Sequence, residues 1–219
     1  MFRRAGSNAI FYRSGMAIDA DGAPNAYHPD DLGIDALVHA GRPGEWWALV
    51  TENGEPILQK EGEYKGFFVS MTWLHREDNI FTPANPQYWV DARHVPYLAI
   101  PKSVFETAGI GKGDLAFGFN ERTGADSYAI VADWGTEQTL GEASIALADI
   151  LDVPSDPRIG GIPDRIVYLV FPNSATRPRW PRSESEMKAT SSQLLAIFGG
   201  KLMLDACLSR VPRPSKHKR

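Results

Sequence analysis

Residues 132–151 read ADWGTEQTLGEASIALADIL, and this stretch decides the fold because it leaves a strand, crosses a polar turn and enters a helix. The preceding residues, SYAIV (127–131), have the apolar character of a buried strand that ends at Asp133. Apolar side chains then repeat with helical spacing, at Ile145, Leu147, Ala148 and Leu151. We therefore predict a strand over 127–133 and a helix over 141–151, with Glu142 in the first helical turn.

Asp133 and Glu142 thus flank one turn, and both are attached to regular elements that fix their separation. In the predicted strand, Ala129, Val131 and Asp133 share one face. Two carboxylates held at a defined distance suit general acid-base hydrolysis. The structural alternative is that the dipole of the helix favours Glu142 at its start, while Asp133 is only a turn residue. Spacing alone leaves both interpretations open.

The rest of the chain predicts one mainly β domain with a few helices, an α+β fold. Its 219 residues are 43% hydrophobic, and they include 20 Gly, 16 Pro, six Trp, seven Tyr and ten Phe, a composition typical of turn-rich β proteins and of sugar binding. Further strands are predicted at 8–12, 16–19, 46–51, 56–59, 66–71, 97–100, 115–120 and 165–171. Further helices are predicted at 102–108 and at 187–208, the latter interrupted at Gly199-Gly200.

Charge is distributed unevenly along the chain. Residues 1–176 carry 13 Lys and Arg against 24 Asp and Glu, whereas residues 177–219 carry 10 against 3 and end in the basic tail RVPRPSKHKR. An acidic body repels nucleic acid and attracts a polycation, so we expect no nucleic-acid partner. No segment is apolar over the length of a membrane span, so none is predicted.

Several other chemistries lack their motifs. The five histidines, at 28, 39, 75, 94 and 217, form no HxH or HExxH pattern, which predicts no metal site. The turn GIGKGD (109–114) lacks the Ser or Thr that follows the lysine of a phosphate-binding loop. Ser144 lacks the GxSxG frame of a nucleophile and is expected to cap or pack. Cys207 lies in an apolar helical stretch and is interpreted as a core residue.

The segment MAIDADGA (16–23) places Asp19 and Asp21 on either side of Ala20. DxDG begins many calcium-binding loops, but Asp30 stands where such a loop, counted from Asp19, needs a glutamate, and no flanking helices are predicted. A strand that ends in two acidic turn residues is the alternative.

Six blocks give the chain a family resemblance. It resembles the fungal-type chitosanases, glycoside hydrolase family 75, through MAIDADGA (16–23), VDARHVPYLAIP (90–101), GIGKGDLAFGF (109–119), SYAIVADWG (127–135), LGEASIALA (140–148) and IVYLVFP (166–172). These blocks follow the order of the family, and the Asp before a turn followed by GEAS is the most specific of them.

The resemblance implies endo-hydrolysis of the β-1,4 bonds of chitosan, a polycationic glucosamine polymer, with inversion and without a cofactor. The family's catalytic carboxylates fall on Asp133 and Glu142. Glucosamine units are cations, so further carboxylates are expected to contact them, and aromatic rings could stack on sugar faces. The candidate substrate contacts are Asp19, Asp21, Asp91, Tyr27 and Trp134.

The pattern of strand, Asp-x-Gly turn and acidic helix start is also similar to that of the double-psi β-barrel proteins, which implies a double-psi β-barrel-like core. We divide the chain into a chitosanase-like catalytic barrel at 1–173 and a linker, amphipathic helix and basic tail at 174–219. By the barrel pattern Glu142 is expected to be the general acid and Asp133 the general base. A helix N-terminus would oppose that role, because it stabilises ionised Glu142.

Two alternatives remain for the function: a hydrolase of another amino-sugar polymer, such as peptidoglycan or partly acetylated chitin, and a barrel that binds polysaccharide without cutting it. The N-terminal residues show no apolar run of the length that a secretory signal needs, so we expect cytoplasmic location, non-classical export, or a signal trimmed from this sequence, although members of the family are usually secreted.

Overall fold

The structure, a computed structural model, describes residues 1–4, 6–137 and 140–209 and is mainly β. Its strands are β1 (Phe2–Arg3), β2 (Ile10–Asp19), β3 (Gly41–Arg42), β4 (Glu45–Trp46), β5 (Thr51–Glu52), β6 (Glu55–Pro56), β7 (Tyr97–Pro101), β8 (Leu115–Asn120), β9 (Asp126–Gly135), β10 (Glu142–Ser144) and β11 (Ile162–Phe171). Its helices are α1 (Lys102–Ala108), α2 (Ile145–Ile150), α3 (Glu184–Phe198) and α4 (Gly200–Leu208). An α+β, mainly β fold was predicted, and this is confirmed.

Six strands close into a mixed barrel in the order β2-β10-β7-β9-β8-β11, and β11 pairs back with β2. The pairs β2–β10 and β7–β9 are parallel, while the other pairs of the barrel are antiparallel. β1 adds a short antiparallel extension to β2. Closure leaves the barrel without a free edge, so its long strands bond on both sides.

Alternate residues of the barrel strands enter two hydrophobic clusters. One cluster joins the strands to α1 and α2, through Tyr12, Leu98, Val131, Tyr168, Phe105, Leu147 and Leu151. The other joins the opposite faces of the strands to α3 and α4, through Phe11, Phe117, Leu169, Met187, Phe198 and Leu204. Both helices of the C-terminal segment therefore bury apolar side chains against the barrel.

Residues 20–96, between β2 and β7, form a long loop layer that packs on the second cluster with buried side chains such as Leu49, Leu74 and Val90. The layer holds the two-residue hairpins β3–β4 and β5–β6 and two 3₁₀ turns, Leu37–Ala40 and Pro86–Tyr88. Its backbone is tied to the barrel where Leu74 N–H donates to the Ala132 carbonyl at 2.8 Å. The layer therefore forms a wall beside the ends of β2 and β9.

Several predicted elements have the bounds that the structure shows. β8 and α1 match their predicted ranges, and α1 ends at Gly109 in the left-handed conformation. The terminal helix breaks at Gly199, whose φ is 107°. The strands predicted at 8–12 and 16–19 form the single strand β2, which begins at Ile10 and continues through Gly15, where its pairing with β11 is irregular. The basic tail at 210–219 lies outside the described residues.

Other predicted elements are wrong. The strands predicted at 46–51, 56–59 and 66–71 are replaced by two-residue hairpins and isolated bridges, because their apolar residues pack inside the loop layer rather than in a ladder. The helix predicted at 141–151 begins only at Ile145, and residues 142–144 form β10 between β2 and β7. Glu142 is therefore a strand residue. Among the described residues, no helix combines the length and apolar character needed to cross a membrane.

Candidate active site

An irregularity in β9 sets the direction in which the Asp133 side chain points. Val131 pairs with Leu98 of β7, but the next pair along β7 is Ala99 with Asp133, so β9 contains one extra residue, Ala132. Such a bulge interrupts the alternation of side chains. Leu98 and Val131 belong to the cluster around α2, and Ala99 lies on the other face of β7. The prediction that Asp133 shares a face with Val131 is therefore wrong, since the bulge turns Asp133 to the face of Ala99.

Glu142 lies on that same face, because it also pairs with Ala99, across the β10–β7 ladder. Asp133 and Glu142 thus stand on either side of one β7 residue, two strand spacings apart, which puts their Cα atoms about 10 Å from each other. Glu142 Oε2 accepts a 3.0 Å hydrogen bond from the Thr136 backbone. It also lies 2.9 Å from the position that a Cβ on Gly135 would occupy, so the glycine leaves room for this carboxylate.

Asp19 and Asp21 bring two more carboxylates to Asp133. One oxygen from each of the three side chains lies within 4.8 Å of the other two. Asp133 is 7% exposed; its Oδ1 accepts the Trp73 and Trp134 backbone N–H groups at 3.1 and 2.7 Å, while its Oδ2 is buried and has no hydrogen-bond partner among the described residues. The site therefore groups three carboxyl groups, one of which has an oxygen left without a partner by the described residues, and this suits a cationic or hydrogen-bond-donating ligand.

Burial favours the protonated form of all four carboxyl groups. It raises the pKa of Asp133 from 3.8 to about 8, against the lowering effect of the two backbone N–H groups that Oδ1 accepts. The pKa values of Asp19 and Asp21 are raised well above 3.8, mainly by burial and secondly by the charge of neighbouring carboxylates. Burial also raises the pKa of Glu142, and the Thr136 N–H opposes this shift. The difficulty of a helix dipole at Glu142 disappears, because Glu142 is not on the helix.

A side-chain network supports Asp21 from the loop layer. The Tyr27 hydroxyl donates to Asp21 Oδ1 at 2.7 Å and lies 3.3 Å from Oδ2 of buried Asp35. Asp35 Oδ1 in turn lies 2.7 Å from His39 Nδ1. Tyr27 is only 2% exposed, so it offers no ring face to a sugar; the stacking role predicted for it is wrong, and its hydroxyl orients Asp21 instead.

Trp73 and Trp134 adjoin Asp133 through the backbone N–H groups that its Oδ1 accepts. Trp134 is 50% exposed and stacks on Trp73 with ring centroids 5.3 Å apart. Lys102 Nζ lies 5.6 Å from the Trp134 ring centroid, and Lys112 Nζ lies 5.8 Å from that of Trp73. Trp134 therefore has the exposed aromatic surface that the prediction of sugar stacking requires.

The sequence-predicted residues divide into two groups. The structure brings Asp19, Asp21, Asp133 and Trp134 to one place, with Glu142 across Ala99. It does not place Asp91 in this carboxylate group: Asp91 accepts the Arg93 backbone N–H at 2.8 Å and contacts His94 Nδ1 at 2.8 Å, so it stabilises its own turn. Its predicted contact with substrate remains a prediction.

For other residues of the site, the neighbouring sequence does not indicate that they belong to it. Asp35, His39 and Trp73 lie in the loop layer, and only the long-range fold brings them near the carboxylates. Ser144 was expected to cap or pack, and it does cap: its hydroxyl accepts the Leu147 N–H at 3.2 Å, and also that of Tyr97 at 2.9 Å. The helix start predicted at 141 was too early, because the helix begins after Ser144.

Comparison with protein-family models and with curated proteins gives no match to this chain. The functional proposal therefore depends on the sequence motifs and on the geometry of the carboxylate site.

Proposed function

We propose that the protein is an endo-acting glycoside hydrolase that cleaves the β-1,4 bonds of chitosan with inversion, and that its barrel has the double-psi topology. The single observation that carries the proposal is the placement of Asp133 and Glu142 on one face, on either side of Ala99. The mixed six-stranded closure with two parallel pairs supports the topology.

Inverting hydrolysis needs two carboxyl groups about 6.5–9.5 Å apart, so that a water fits between the base and the sugar. Cα atoms about 10 Å apart on one face are compatible with that range, because the side chains can lean towards each other. Retaining enzymes need the shorter separation of about 5–5.5 Å. The strand positions are therefore compatible with inversion.

Chitosan suits the site because its glucosamine units carry ammonium groups. Buried Asp19 and partly buried Asp21, beside Asp133, offer carboxyl groups to such a cation, and Tyr27 fixes the orientation of Asp21. Trp134 offers a half-exposed ring to the apolar face of a sugar. The acidic balance of residues 1–176 attracts a polycation over a longer range.

Substrate binding determines which of the two carboxyl groups, Asp133 or Glu142, is protonated during the reaction. In the free protein burial keeps Asp133 protonated. An ammonium group bound by Asp19 and Asp21 favours ionised Asp133, which then acts as the general base that activates water. Glu142 lies outside the group of three, and burial favours its protonated form, so it acts as the general acid towards the leaving oxygen.

The test measures reducing ends released from chitosan, chitin and peptidoglycan by the wild type, Asp133→Asn and Glu142→Gln. We expect release from chitosan by the wild type and losses of at least about 100-fold in each variant, typical of removing a general acid or base. Circular dichroism checks that the variants fold. Binding of chitosan without release would favour the non-catalytic binding barrel, and full activity in either variant would refute the site.

A further inference from the structure

A cavity of about 600 Å³ adjoins the carboxylate site at Trp73, and its charge is opposite to that of the site. It is lined by Trp73, the turn at 109–112, Asp114 and residues of the segment that follows β11, including Arg177 and Arg179. This volume lies in the range of small-ligand pockets, which is about 300–1,000 Å³. The turn belongs to the GIGKGD motif, which the hydrolytic mechanism does not use.

The carboxylates near this cavity are already engaged. Asp114 accepts the backbone N–H groups of Gly111 at 2.7 Å and of Ala175 at 3.0 Å, so it joins the turn at 109–112 to the segment that follows β11. Glu77 pairs with Arg179 at 2.9 Å. Among the described residues no ion pair joins Lys112 to a carboxylate; its Nζ lies 3.5 Å from His75 Nε2 and over the Trp73 ring. The cavity therefore presents a partly buried ammonium group, without an ion pair among the described residues, next to an aromatic ring.

The carboxylate site and this cavity meet at Trp73 and carry charged groups of opposite sign. On one flank of Asp133, Asp19 and Asp21 place carboxylate oxygens within 4.8 Å. On the other flank, Trp73 donates its N–H to Asp133 and carries the Lys112 ammonium over its ring. A polymer in which every unit is cationic is attracted at the first flank and repelled at the second.

We propose that the cavity beside Trp73 is a subsite for an N-acetylated sugar unit, from which Lys112 excludes the free ammonium of glucosamine. This inference rests on the proposed hydrolase function. An acetamido group is uncharged, its carbonyl accepts a hydrogen bond from the lysine ammonium, and its methyl group packs on an aromatic ring. The enzyme then cuts where a free amine on the Asp19 side meets an acetylated unit on the Trp73 side.

The experiment compares two soluble chitosans, one fully deacetylated and one about half acetylated, as substrates of the wild type, Lys112→Met and the control Lys188→Met. Lys188 is an exposed lysine on α3, so its variant removes the same charge away from the cleft. Each enzyme preparation is assayed on both polymers, and the ratio of kcat/KM values is independent of the folded fraction. Mass spectrometry identifies the sugar units at the new chain ends.

We expect the wild type to prefer the half-acetylated polymer and to leave one of the two new ends consistently acetylated. Lys112→Met should raise kcat/KM on the deacetylated polymer by about two- to fivefold, the size of a partly screened charge interaction, while Lys188→Met keeps the wild-type ratio. Release with a preference for the deacetylated polymer, or an unchanged ratio in Lys112→Met, would overturn this inference alone. No release from either polymer would overturn the proposed function and this inference with it.

Discussion

Replacing Asp133 by Asn should change how the stability of the protein depends on pH. Asn keeps the shape of the side chain and an oxygen that can accept the Trp73 and Trp134 N–H groups, but it cannot titrate. In the wild type, burial raises the pKa of Asp133 to about 8, whereas an unfolded chain has a value of about 3.9. Between these two values the folded protein holds a proton that the unfolded chain has released.

The sign and the size of the effect follow from linkage. Because the folded state binds more protons in this window, the contribution of Asp133 to the free energy of unfolding is fully present below pH 4 and falls by up to about 1.4 kcal/mol per pH unit as the pH rises towards 8. Asp133→Asn removes this slope. Between pH 5 and pH 7 the variant should therefore gain up to about 2.7 kcal/mol relative to the wild type. Proton sharing with Asp19 and Asp21 makes this figure an upper bound.

Urea unfolding at pH 5, 6 and 7 measures the difference directly, since the free energy of unfolding extrapolates linearly in denaturant. Asp126→Asn is the matched control, because Asp126 begins the same strand with an exposed side chain, and it should leave the wild-type slope in place. If the curves of the wild type and Asp133→Asn run parallel from pH 5 to pH 7, Asp133 does not hold a proton in the folded protein, and the assignment of the free-enzyme proton is refuted.

Three further substitutions test single contacts. Gly135→Ala places a methyl group 2.9 Å from Glu142 Oε2 and should lower kcat on chitosan about ten- to hundredfold by displacing that carboxylate; unchanged kcat would argue against Glu142. Ser144→Ala removes the acceptor of two backbone N–H groups and should lower the free energy of unfolding by about 1–3 kcal/mol, measured in urea; a smaller loss would mean that water replaces the hydroxyl. Tyr27→Phe removes the donor to Asp21 and should raise KM for chitosan about two- to tenfold with little change in kcat; a loss confined to kcat would contradict its orienting role.

The local sequence pattern predicted those elements whose conformation depends mainly on their own residues. α1 ends where Gly109 adopts a positive φ of 68°, and β8 has apolar side chains on both faces, because both faces are buried. The acids Asp133 and Glu142 could be singled out for the same reason: each stands at an end of a strongly apolar segment. These are properties that a short window of sequence contains.

What the sequence could not predict depends on distant partners. Residues 142–144 have helix-compatible side chains, but β2 and β7 offer hydrogen bonds on both sides, so the segment joins the barrel and the helix starts later. The extra residue in β9 becomes visible only against the register of β7. Asp35 and Trp73 reach the site only because the loop layer folds back over the barrel, and nothing near them in the sequence indicates this.

The bulge at Ala132 makes the register of β9 against β7 decide on which face of the sheet the Asp133 carboxyl group lies. In a regular register of the same sequence, Ala132 would pair with Ala99, and Asp133 would pair with Ile100 on the apolar face of Val131 instead of lying beside Asp19. Accommodation of Ala132 as a bulge decides which face carries the carboxylate, so the register between β7 and β9 is a feature to examine when related chains are compared.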